Sequence, residues 1–216
     1  MILTASFVDV DFMPDGNLDK AAWSQTAKVH FDRDAFKGAA LPQLETTVAS
    51  LWSAQYLYLA YWCKYTALYT YEGEDPAAQR WQLWDRDVVE AFIAPQPNET
   101  SHYYEFEVAP NNQWIDLEIH CGSEDSPNAQ WNSHFLHATR IDAPNRIWTA
   151  EMRIPCAPMG AAVINENTEW RMNLYRADGR GPDAERNLMC WNPLPLNNGS
   201  FHQPASFGTL RFARRA

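Results

Sequence analysis

The chain has 216 residues, a formal net charge of −10, and ten Trp, nine Tyr and ten Phe. That length allows one sizeable core, and residues 1–216 read as a single β-rich domain. The acidic balance, with basic residues scattered except for Arg211, Arg214 and Arg215, argues against nucleic acid or an anionic membrane as partner.

Met1–Ser6 has no basic segment followed by an apolar one. As written, the chain therefore reads as cytoplasmic, or as secreted or periplasmic if a leader precedes it. The turn Pro14-Asp15-Gly16-Asn17 leads to a helical turn over Leu18–Trp23, capped by Asn17 or Asp19. Val29–Phe31 reads as a short strand and 32–42 as loop. Glu45–Trp52 and Tyr56–Trp62 form a hairpin. The Cys residues at 63, 121, 156 and 190 lie far apart, with no C-x-x-C spacing, so neither a zinc knot nor a redox motif is indicated. Disulfide pairing stays open.

Residues 64–83 form a long excursion, a length usually reserved for functional loops. It delivers the chain to Trp84-Asp85-Arg86-Asp87 and the strand Val88–Ile93. Alternation puts Val88, Glu90 and Phe92 on one face, so Glu90 is a carboxylate between two large apolar groups. Such a charge needs a cation, donors or a polar ligand. On residue types alone the structural reading is the commoner one; an exposed indole such as Trp84 beside a polar strand would also suit a sugar ring.

Further strands follow at Tyr103–Val108, Trp114–Ile119, Phe135–Arg140, Trp148–Ile154, Trp170–Arg176, Leu188–Trp191 and Phe207–Phe212. Tyr104, Phe106 and Val108 face the core, with Tyr103, Glu105 and Glu107 opposite. Trp170, Met172 and Leu174 are buried, with Arg171, Asn173 and Tyr175 on the open side. Loops at 122–132 and 177–187 and a turn region at 193–199 carrying Phe201 and His202 complete the chain. About ten short strands with few helices specify an all-β, antiparallel β-sandwich.

These segments in this order (Asp15–Trp23, Tyr56–Leu59, Trp84–Ile93, Tyr103–Val108, Trp148–Pro155, Trp170–Arg176 and Phe201–Gly208) resemble the family 9 carbohydrate-binding modules. The resemblance implies a DOMON-like sandwich, non-catalytic binding of a mono- or oligosaccharide between two aromatics, and in some members structural calcium. It places Trp84 and Phe201 at the aromatic clamp, Glu90 at a hydroxyl-binding acid and Asn198 near a polar contact. Glu105, Glu107, Arg171, Asn173 and His202 are added from the polar faces around them. The second clamp residue is Phe rather than Trp, and Glu105 and Glu107 stand where those modules carry an arginine. Two alternatives remain: a hydrolase using a carboxylate pair from Asp85, Asp87, Glu90, Glu105 and Glu107, and haem binding through Met152 or Met172 with a histidine.

Overall fold

The computed structural model describes residues 1–73, 75, 78–161, 164–183, 185–196 and 199–214. In chain order its strands are β1 (Ile2–Phe7), β2 (Lys28–Phe31), β3 (Thr46–Trp52), β4 (Tyr56–Lys64), β5 (Val88–Ala94) and β6 (His102–Val108). There follow β7 (Trp114–His120), β8 (Leu136–Asp142), β9 (Ile147–Pro155), β10 (Glu169–Asp178), β11 (Asn187–Cys190) and β12 (Gly208–Ala213), and one helical turn, α1, spans Ala21–Ser24.

All twelve strands belong to one hydrogen-bonded path, β7-β6-β5-β10-β12-β1-β3-β4-β9-β8, with β11 beside β10 and β2 beside β3. A twisted sheet of this width curls onto itself. The halves meet face to face: Val48, Leu59 and Tyr61 of β3 and β4 share a buried cluster with Val89, Ala91 and Ile93 of β5 and Phe106 of β6. The Tyr61 hydroxyl crosses the interior to donate to the Glu90 carbonyl at 3.1 Å. The result is the expected sandwich, with β7-β6-β5-β10 as one layer, β3-β4-β9-β8 as the other, and β12 and β1 joining them.

Two local differences from the sequence reading have plain causes. The strand β1 was not anticipated, and it pairs parallel with both β12 and β3. Its alternation, Leu3 and Ala5 buried against Thr4 and Ser6, is only two periods long. The helical turn starts at Ala21 with no side-chain cap. The side chains of Asp15 and Asn17 are instead engaged in turns, accepting the amides of Asn17 (2.9 Å) and Asp19 (3.1 Å).

Both outer faces of the sandwich are covered. Over β3 and β4, Trp23 and Leu18 pack on Ala49, Leu51, Tyr58 and Ala60. Over β5, β6 and β10, Ala35, Leu83 and Phe207 from the connecting segments and Leu188 of β11 cluster with Val88, Phe92, Tyr103 and Tyr175. The second cover is incomplete, and the opening is the site described next. Four free thiols settle the cysteines: Cys63, Cys156 and Cys190 are buried and Cys121 is exposed. Met152 and Met172, the methionines named for haem binding, are fully buried in the interior core and do not line the cleft.

Candidate functional site

A cleft of about 660 Å³ opens on the outer face of the β5-β6-β7-β10 layer, within the range of about 300–1,000 Å³ usual for small-molecule sites. Strand alternation builds its floor: Glu90 and Phe92 from β5, Tyr103 and Glu105 from β6, Leu117 and Ile119 from β7. Its walls come from the loops that carry Trp81 and Trp84, Phe36, Cys121 to Ser123 with Pro127, Asp183 and Arg186, and Gly199 to His202.

The aromatic lining falls into two groups. Trp81 and Trp84 pack edge to face at 4.9 Å and 81°. Phe36 and Phe201 stack at 5.8 Å and 26°, and Phe201 lies in turn on Tyr175 at 4.2 Å and 17°. Among the described ring pairs none joins the first group to the second, yet both line the same cleft. Phe201 is therefore not a lone clamp ring; Phe36, in a loop with no motif to mark it, shares its wall. Trp81 is 48 % exposed and Trp84 partly buried. Arg186 fixes the indole group from behind, donating to the Trp84 carbonyl and to Asp183.

The acids are the distinctive feature. Glu90 of β5 is in register with Glu107 of β6, and Glu105 lies two residues along on the same face. All three are buried, at 2 %, 0 % and 3 % exposure for Glu90, Glu107 and Glu105. An oxygen from each lies within 4.8 Å of the others. Among the described residues no protein donor reaches either oxygen of Glu107, or one oxygen each of Glu90 and Glu105. A proton held between Glu105 and Glu107 is the hydrogen bond their separation allows. Burial, and then mutual repulsion, hold Glu90 and Glu107 well above the usual carboxylate range, while the nearby Arg186 pulls Glu90 back in part. Glu105 is raised by burial and eased by its bond to Glu107.

His202 closes one end of the floor. Its ring lies 5.2 Å from Phe92, and its Nδ1 is 2.6 Å from the Tyr103 hydroxyl. Burial raises the Tyr103 phenol and keeps it protonated, and which of the two groups donates follows the His202 tautomer. The structure thus brings Trp84, Glu90, Glu105, Phe201 and His202 together, with Glu107 directly behind.

It does not bring Arg171 or Asn173 to the cleft. The Arg171 guanidinium donates to the carbonyls of Ala205 (3.0 Å) and Phe207 (2.7 Å). Asn173 is fully buried, donating to the Asn192 carbonyl at 3.0 Å and accepting from the amides of Asn192 and Leu174 at 2.9 Å. The face expected to be open is covered by Asn192 and by Ala205–Phe207, and these two side chains fasten that cover. Asn198 lies outside the described residues. Asp87, a candidate for a carboxylate pair, is also absent from the cleft lining; it accepts the amides of Tyr69 and Gly179.

The profile of the carbohydrate family 9 binding domain-like family matches residues 14–214. The chain belongs to that family. Solved structures agree on the fold of this family 9-like domain. A Bacteroides uniformis protein, named as a candidate carbohydrate-binding protein, is 17 % identical, with 98 % of this chain and 99 % of that one aligned at a TM-score of 0.77. A family 9 carbohydrate-binding module of Caldicellulosiruptor kristjanssonii, solved with cellotriose, aligns over 100 % of this chain and 95 % of its own at 14 % identity and a TM-score of 0.67. The same module solved with glucose gives 0.68, at 14 % identity, over 100 % and 97 % of the two chains. No curated protein matches the family 9-like domain in sequence.

Proposed function

We propose that this domain binds a mono- or oligosaccharide in the cleft, without catalysis. The sugar ring would sit between the Trp81–Trp84 and Phe36–Phe201 groups, over Glu90 and Glu105. The observation that carries this reading is the floor. Buried carboxyl oxygens without protein partners are costly unless something supplies hydrogen bonds, and sugar hydroxyls both donate and accept. Held protonated, such a carboxyl can also donate to a ring or hydroxyl oxygen. Aromatic walls add apolar contact to the flat faces of the ring. The structural relatives solved with cellotriose and glucose support this class of ligand.

One stacked ring with a few hydrogen bonds gives an expected affinity between about 1 mM and 1 μM. Calcium, which the family resemblance allows, would be held by the all-oxygen set Glu90, Glu105 and Glu107 and would offset their charge. Titration calorimetry against glucose, cello-oligosaccharides and other monosaccharides is the test. Heat that disappears in Trp84→Ala and Glu90→Gln supports the reading; no heat from any sugar rejects it. A second reading, hydrolysis, draws on the raised Glu90 and Glu105, since a general acid needs such a shift. Turnover of aryl glycosides that vanishes in Glu90→Gln would replace binding with catalysis.

A further inference from the structure

A second cluster lies where β6 begins and β7 ends. The antiparallel register sets His102 directly opposite His120. Their rings stack with centroids 4.1 Å apart and planes at 9°. Glu118, two residues before His120 and on its face of the strand, points one oxygen at both: Oε1 is 3.1 Å from His102 Nε2 and 3.4 Å from His120 Nε2. With their protons on Nε2 both rings would donate to that oxygen; with those protons displaced, the same two nitrogens and one oxygen converge as the ligands of a single ion.

We propose that His102, Glu118 and His120 bind a divalent transition-metal ion of the zinc type. Atoms held about 2.0–2.1 Å from a tetrahedral ion lie about 3.3–3.4 Å apart. The two nitrogen–oxygen separations here, 3.1 and 3.4 Å, are already close to that spacing. Two imidazoles and a carboxylate form a donor set that favours zinc over calcium or magnesium, which prefer oxygen alone. The outer contacts suit the role. Glu99 faces the other nitrogen of His102, the partner a ligating histidine normally has. The Asn128 side chain donates to Glu118 Oε2 at 3.1 Å, orienting the carboxylate with Oε1 toward the histidines. With the His120 side chain 47 % exposed, the fourth position opens to water. His120 also lines the rim of the cleft, so the ion would pin β6 to β7 beside the 120–127 wall.

The test uses tag-free, chelator-treated full-length protein, titrated with ZnCl2 by calorimetry and with CoCl2 by visible absorption. The expected result is one equivalent of Zn2+ at micromolar affinity and a tetrahedral Co2+ band. His102→Ala and His120→Ala should each weaken binding at least 10-fold, and Glu99→Gln about 10-fold. The solvent-facing His120→Ala keeps the test decisive should His102→Ala fail to fold, with circular dichroism as control. Absence of Zn2+ binding, or binding unchanged in folded His120→Ala, overturns the proposal.

Discussion

Each outer face of the sandwich buries carboxylates, and the two faces treat them oppositely. On the β4–β9 face, Glu151 is fully buried and saturated with donors. It accepts the Asp15 amide at 2.9 Å, the Gly16 amide at 3.1 Å, the Trp23 indole at 2.9 Å and the Lys20 ammonium at 2.7 Å. Gly16 is there for a reason: at φ +73° a Cβ would come within 2.8 Å of the Thr139 backbone, so only glycine brings its amide this close. On the β5–β6 face, Glu90, Glu105 and Glu107 are as deeply buried, and among the described residues no donor reaches either oxygen of Glu107 or one oxygen each of Glu90 and Glu105. Burial alone therefore does not mark a site. A carboxylate whose lone pairs are filled by its own chain holds the fold; one whose lone pairs are empty is kept for something else.

The largest test of this contrast is Glu151→Gln. It leaves Lys20 without its buried counter-charge and turns an amide N–H toward donors, an expected loss of about 3–5 kcal/mol. At about 2–4 °C per kcal/mol, the melting temperature should fall by on the order of 10 °C. A variant as stable as the parent would break the comparison. The opposite sign is expected for Glu107→Gln. Removing an ionisable group with no donors should stabilise the domain by about 1–3 kcal/mol at pH 8 and change little at pH 4.5, read from thermal melts at the two values.

The pH profile sharpens the same point. A carboxyl whose folded-state pKa is raised favours the folded chain while protonated. Its contribution is complete below the unfolded value and is lost as pH climbs through the folded one. Asp87, pushed up to about 7 mainly by burial, contributes fully below about 4 and loses that contribution between about 4 and 7. Glu90 and Glu107, held well above the carboxylate range, extend the decline past that point. Melting temperature should therefore fall from acid toward alkaline pH. Asp87→Asn should remove slope below pH 7, and Glu90→Gln should remove slope above it. The smallest stability effect belongs to Trp81→Ala. Half exposed, it should cost less than about 1 kcal/mol while weakening sugar binding measured by calorimetry.

The sandwich was legible because its signal is periodic: Val89, Ala91 and Ile93 against Val88, Glu90 and Phe92 announce both faces of β5 within six residues. The floor acids and Trp84 were legible for the same reason, lying on or beside strands. What was hidden depends on loops folding over a sheet. Nothing local to Phe36 says that it stacks on Phe201, 165 positions away by number. Nor does alternation say whether an outward face meets water or a second layer of chain. Arg171 and Asn173 were placed on the correct side of β10 and given the wrong surroundings, because Asn192, Ala205 and Phe207, whose carbonyls they hold, meet them only through the tertiary fold.

The parallel pairing of β1 on both its edges makes the first seven residues the seam of the whole sheet. Without them, β12 and β3 would each present an unsatisfied edge, and the two layers would lose their hydrogen-bonded hinge. A truncated chain should accordingly accept a synthetic peptide of those residues in trans, giving a split version of the domain whose reassembly can be switched by adding the missing strand.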